Sequence, residues 1–139
     1  MITQIKCRKH GEYHTYSSPL LIREDTGQRY PVPPGGLTIG RGEFNDIVLP
    51  DCPSVAPQQT RIFRSCKDGL FYIIDMPEVI YPTNLSGMPL ESYVNVPEQA
   101  VTKFPLINGD IVDVGGVCFM WRWISPEYQA IGRRAFIER

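Results

Sequence analysis

Histidine is scarce in this sequence: His10 and His14 are the two present, both near the start of the chain. Ser-His and Cys-His nucleophile arrangements therefore have no base in the remainder, and no nucleophile elbow takes their place. Cysteine is sparse as well. Cys7, Cys52, Cys66 and Cys118 are too scattered for a disulfide framework, so reduced thiols are expected. Cys7 with His10 and His14 makes half a zinc knuckle, but a structural zinc needs four ligands and no second pair follows at ligand spacing. No metal and no cofactor is expected.

Charge of one sign is missing too. The 14 Lys+Arg against 15 Asp+Glu leave a net charge of −1, which gives no global field for nucleic acid or an anionic membrane. Arg61, Arg64 and Lys67 form at most a small basic stretch beside a strand, so nucleic-acid binding is not expected and any anion recognition is local. Gly35-Gly36 with Gly40 and Gly42 lacks the Lys-Ser/Thr ending of a phosphate-binding P-loop. Asp46, Asp51, Asp75 and Asp110 all fit turn and loop-end positions, so no catalytic carboxylate pair is indicated. Long apolar runs are absent: Met1 to His10 lacks a signal-peptide core, and no run approaches transmembrane length. The expectation is a soluble, cytoplasmic, non-catalytic chain without direct membrane insertion.

What is present is the composition of one globular domain: 139 residues, 42% hydrophobic and 21% charged. Thirteen prolines and twelve glycines cut it into short pieces rich in β-branched and aromatic residues. Leu20–Arg23 and Arg29–Val32 flank an Asp25-Thr26-Gly27-Gln28 turn. Leu37–Ile39 and Asp46–Leu49 are short strands around Gly40-Arg41-Gly42. Thr60–Arg64 and Leu70–Ile74 flank Lys67-Asp68-Gly69, an Asp-Gly hairpin signal. Asn108-Gly109 leads into Asp110–Val114, and Gly115-Gly116 reverses the chain into Val117–Trp123. Residues 1–18 read as an extra hairpin about Lys9-His10-Gly11-Glu12. Ser125-Pro126-Glu127 reads as a helix start, with Tyr128, Ile131 and Ala135 on one face, giving a short helical tail or linker over 125–139. The stretch 92–100 is longer than a tight hairpin connection. Many short strands without a long helical period give an all-β sandwich or barrel.

From Leu37 onward the sequence resembles a forkhead-associated (FHA) domain. Leu37-Thr38-Ile39-Gly40-Arg41 followed by Asn45–Asp51 looks like that family's opening signature. Ser86-Gly87-Met88-Pro89-Leu90 and Leu106–Gly115 resemble its later segments, so the likeness covers most of residues 19–124. It implies a two-sheet FHA-type β-sandwich over 19–124, with the N-terminal hairpin extension and the short C-terminal helix outside it, and a phosphothreonine-peptide site on the loops at one end.

Such a site needs an arginine for the phosphate, a hydroxyl donor beside it and an amide to hold the peptide backbone. Arg41 matches the arginine. The family's Ser-x-x-His element aligns with Ala56-Pro57-Gln58-Gln59, so Ala56 replaces the hydroxyl and Gln59 the loop-holding histidine, whose donor and acceptor an amide supplies. The third loop admits two registers. Thr83-Asn84 matches the family's Thr-Asn pair, or else Ser86-Gly87 matches its closing Asn-Gly, which puts Ile80 and Tyr81 at the Thr and Asn positions and Thr83 at the loop-closing threonine. The second is preferred, because the first leaves too long a spacing from Asp75.

One charged hydrogen-bonding partner supplies about 1.5–3 kcal/mol, whereas micromolar affinity needs about 8 kcal/mol. Candidate binding residues are thus Arg41, Ser54, Gln58, Gln59, Tyr81, Thr83 and Asn84. Two functions are expected to compete: a module that docks a protein partner, as part of a larger assembly, without full phosphothreonine recognition, and a phosphothreonine-peptide binder using Arg41 and a rebuilt pocket.

Overall fold

The computed structural model describes residues 2–7, 12–90, 101–123 and 136–138. Strands β1 (Ile2–Cys7) and β2 (Glu12–Ser17) pair antiparallel as a separate two-stranded sheet, with Ile2 opposite Ser17 and Cys7 opposite Glu12. The remaining strands are β3 (Leu20–Arg23), β4 (Arg29–Pro31), β5 (Leu37–Gly40), β6 (Ile47–Val48), β7 (Thr60–Arg64) and β8 (Phe71–Asp75), then β9 (Asn84–Leu85), β10 (Met88–Pro89), β11 (Val101–Pro105), β12 (Ile111–Val114), β13 (Val117–Arg122) and β14 (Phe136–Glu138). They form two six-stranded sheets, ordered β10-β9-β12-β13-β3-β4 and β14-β11-β8-β7-β5-β6. The described residues hold no helix longer than the single helical turn position at Leu90, and the sandwich implied by the family likeness is the architecture found.

The period of two in the sequence decides which side chains face inward. Leu37, Ile62, Ile73 and Phe104 lie opposite one another across β5, β7, β8 and β11, and all four are buried. From the other sheet come Leu21, Leu85, Val112, Val114, Phe119 and Trp121. Aromatic rings join the layers: Phe71 lies 5.3 Å from Trp121 and 5.0 Å from Trp123 by ring centroids. Each such buried ring contributes about 2–3 kcal/mol through the surface it removes from water, and the ring pairs add about 1 kcal/mol.

Two-residue turns occur where the sequence supplies the needed backbone. Ser86-Gly87 closes β9 onto β10 with φ of 50° and 91°, and Gly115-Gly116 closes β12 onto β13 with φ of 61° and 91°. Both residues of each pair lie in the left-handed region that such hairpins require. The Lys67-Asp68-Gly69 segment differs from the tight Asp-Gly turn expected of it. Strand pairing stops at Arg64 opposite Phe71, Ser65 N donates to Leu70 O at 2.9 Å, and the loop between them is longer. Asp68 is the physical reason: its carboxylate accepts from Leu70 N at 2.9 Å and from the Tyr72 hydroxyl, so it closes a wider loop instead of occupying a two-residue turn.

The expected helix from Ser125, with Tyr128, Ile131 and Ala135, lies outside the described residues, as do the 92–100 stretch and the tip of the N-terminal hairpin. The described end of the tail is a strand, β14, whose Phe136 pairs with Lys103 of β11.

Candidate functional site

Three connections gather at one end of the sandwich: 41–46 after β5, 49–59 after β6, and 76–83 after β8. Backbone hydrogen bonds sew the first two together. Arg41 N donates to Ala56 O at 3.0 Å, Gly42 N to Pro57 O at 3.2 Å, and Leu49 N to Gly40 O at 2.8 Å. Asn45 reinforces the seam, its amide donating to Gly42 O at 2.8 Å and Pro57 O at 2.7 Å. Gly40 leaves no room for a side chain there, since a β-carbon would lie 2.4 Å from Pro57 O and 2.7 Å from Asn45 Nδ2.

Gln59 ties in the third connection. It is almost wholly buried, accepts from Ala56 N at 2.9 Å through Oε1, and donates through Nε2 to Tyr81 O at 2.9 Å and Thr83 Oγ1 at 3.3 Å. Donor and acceptor are both in use, as the alignment with the family histidine implies. Below it, Thr60 Oγ1 donates to Asp75 Oδ1 at 3.1 Å and lies 2.6 Å from Thr83 Oγ1. A hydroxyl has one proton. Thr60 gives its proton to Asp75, so Thr83 must donate to Thr60 while receiving from Gln59, and the relay runs from amide to carboxylate. Asp75 Oδ2 also accepts from Thr83 N at 2.8 Å, fixing the loop where β9 begins. Such a chain polarises each bond along its length.

The exposed part is different in kind. Arg41 is exposed, and its Nε donates to Val55 O at 3.1 Å, which anchors the guanidinium. It makes no ion pair among the described residues. Next to this anchor, position 56 offers a methyl group. Ile80 is 81% exposed, Tyr81 63% and Phe44 65%, so the tips of two connections present apolar surface. Phe44 lies close enough to Gly42 that a β-carbon at Gly42 would be 2.5 Å from its ring. A shallow hollow of about 160 Å³ beside it is lined by Thr38, Phe44, Asn45, Gln58, Thr60 and Met76.

The seven candidate residues therefore divide. Arg41, Ser54, Gln58 and Tyr81 are exposed, whereas Gln59 and Thr83 are buried in the framework. Ser54 lies against the Gly115-Gly116 turn, where a β-carbon on Gly115 would be 3.2 Å from its hydroxyl. Asn84 is not in the loop: it is a half-buried ladder position of β9, opposite Pro89 and Asp113. Its place, and the two-residue turn at Ser86-Gly87, fit the register that sets Tyr81 at the position of the peptide-holding asparagine. Sequence reading overlooked Thr60, Asp75 and Asn45 as builders of the site; the available signal was polar side chains at the ends of otherwise apolar strands.

Carboxylates also lie by the β12–β13 hairpin. Cys118, opposite Asp113, has its thiol pushed above the ordinary thiol range, first by burial and then by the carboxylates of Asp113 and Glu24. On the turn after β3, Arg23 donates from Nε to Asp25 at 2.6 Å, and this bond holds the Asp25 carboxyl below its usual range.

Comparison with known proteins gives the same picture. A search among curated proteins found no match. Among solved structures, an FHA domain from work on phosphothreonine-dependent FHA domain interactions superposes with a TM-score of 0.61 at 22% identity, over 78% of this chain and 99% of that one. The FHA domain of the CT664 protein from Chlamydia trachomatis gives 0.61 at 20% identity, over 78% and 100%. Mycobacterium tuberculosis EmbR, solved with a low-affinity phosphopeptide, gives 0.62 at 19% identity, over 82% of this chain and 26% of that one. These likenesses speak for the fold. The FHA domain family model matches residues 37–115, more than half of the chain, beginning at β5 and ending at the β12–β13 turn whose loops build the site described above; the chain belongs to the FHA domain family.

Proposed function

We propose that this FHA domain is a non-catalytic, cytoplasmic protein-interaction module that docks a protein partner through its loop end without requiring phosphothreonine. The observation that carries this reading is the neighbourhood of Arg41. The hydroxyls of Thr60 and Thr83 are buried and committed to the Gln59–Asp75 relay, position 56 beside the arginine is alanine, and the preferred register of the third loop assigns the peptide-holding asparagine's position to Tyr81, which is exposed. A phosphate reaching Arg41 would meet one guanidinium and no neighbouring hydroxyl from the family's set, which is too little for a flexible phosphopeptide.

A second reading keeps phosphothreonine recognition through the exposed Arg41, with Gln58 as helper; the solved relatives concerned with phosphothreonine or a phosphopeptide favour it. Calorimetric titration with a phosphothreonine peptide library beside its unphosphorylated counterpart separates the two. A weak response that phosphorylation does not strengthen is expected. Binding that requires the phosphate and disappears in Arg41→Ala would overturn the first reading.

A further inference from the structure

Charge along the three loop-end connections is lopsided. Residues 41–59 and 76–83 contain one basic residue, Arg41, against the carboxylates of Glu43, Asp46, Asp51 and Glu78. Asp46 is occupied, accepting from Thr38 N at 2.8 Å. Glu43, Asp51 and Glu78 are exposed and form no ion pair among the described residues. The same connections carry the exposed side chains of Phe44, Ile80 and Tyr81.

Resting on the phosphate-independent reading above, we infer that the loop end of this domain docks an unphosphorylated, basic partner segment, whose Lys or Arg side chains pair with Glu43 and Glu78 while apolar neighbours cover Ile80 and Tyr81. Two physical arguments converge on that occupant. Exposed loop-tip aromatics and aliphatics bind by losing contact with water, and long cationic side chains suit such a surface because their stems lie on it while the charge stays at the rim. A cation can also sit over the face of an exposed Tyr or Phe ring. The carboxylates then set the sign. They attract a cationic segment and slow its escape, and they repel a phosphate dianion approaching the single arginine. Asp113 and Glu24, by the β12–β13 hairpin, add two more carboxylates near the Gly115-Gly116 turn.

Peptide display on the full chain, compared with a Glu43→Lys/Glu78→Lys double variant, tests this. Wild type is expected to enrich Lys and Arg beside aliphatic or aromatic residues. Its selected peptides should bind about tenfold more weakly to the double variant, more weakly to Tyr81→Ala, and more weakly as salt is raised. All three altered positions are exposed, and a thermal melt of each variant verifies folding. Neutral or acidic enrichment, enrichment shared by the double variant, or none at all would overturn the inference. Neutral or acidic peptides that are nonetheless lost in Tyr81→Ala would leave the phosphate-independent reading standing, whereas an Arg41-dependent phosphothreonine ligand would remove both.

Discussion

Two zones of the loop end lie within a few residues of each other and obey different rules. In the buried zone, Gln59, Thr60, Asp75 and Thr83 bind one another so that donors and acceptors are matched along the relay. In the exposed zone, Arg41 makes one side-chain bond, to Val55 O, and its neighbours Ile80, Tyr81 and Phe44 face water. The difference teaches that the framework of a binding site and its contact surface are separable. Buried polar groups are held by the cost of leaving any partner unmet, while exposed residues at the tips change with little effect on folding. A family member can therefore retain the frame and alter what it holds.

The comparison is broken most severely at Gly40. Gly40→Ala puts a β-carbon against Pro57 O and Asn45, parting the seam that carries Arg41, and should cost about 2–4 kcal/mol in denaturant unfolding. Next comes Gln59→Leu. It strands Ala56 N and Tyr81 O, removes one donor from Thr83 Oγ1 and should cost about 2–3 kcal/mol, while Gln59→His, which keeps a donor and an acceptor, should cost less than half of that. If Leu proves as good as His at position 59, the relay is not what holds the loops.

How much of this could be read from the chain alone follows from the range of each interaction. The sandwich, its hairpins and the clamp at Gln59 were legible because strand period, turn residues and the family's motif spacing are local signals. The relay was not, since Thr60 meets Asp75 and Thr83 across 15 and 23 residues of sequence. Nor was the outward exposure of Phe44, Ile80 and Tyr81. Apolar residues in an irregular loop have no period that says which way they face. Asn84 looked like a loop amide, but the Ser86-Gly87 turn draws it into the β9 ladder.

Changes at the exposed zone sharpen the contrast from the other side. Arg41→Ala and Tyr81→Ala should leave stability within about 0.5 kcal/mol of the parent, in the same unfolding experiment that detects Gly40→Ala and Gln59→Leu. The smallest expected effect concerns the thiols. Cys118 has its thiol raised by burial and nearby carboxylates, so at a given pH it holds less thiolate and should alkylate more slowly than a free thiol in an unstructured peptide. Its alkylation should keep rising as the pH is taken above the ordinary thiol range, as followed by residue-resolved mass spectrometry.

The separation of frame from contact is tested most directly by rebuilding the contact on the existing frame. Wild type and an Ala56→Ser/Tyr81→Asn variant, which introduces a hydroxyl and an amide at the two positions that the family alignment assigns to them, would be compared for retention of a phosphothreonine peptide library. The account expects wild type to retain phosphorylated members no better than unphosphorylated ones and the rebuilt variant to gain a phosphate-dependent set that Arg41→Ala removes. Phosphate-dependent retention already present in wild type and lost with Arg41 would contradict it.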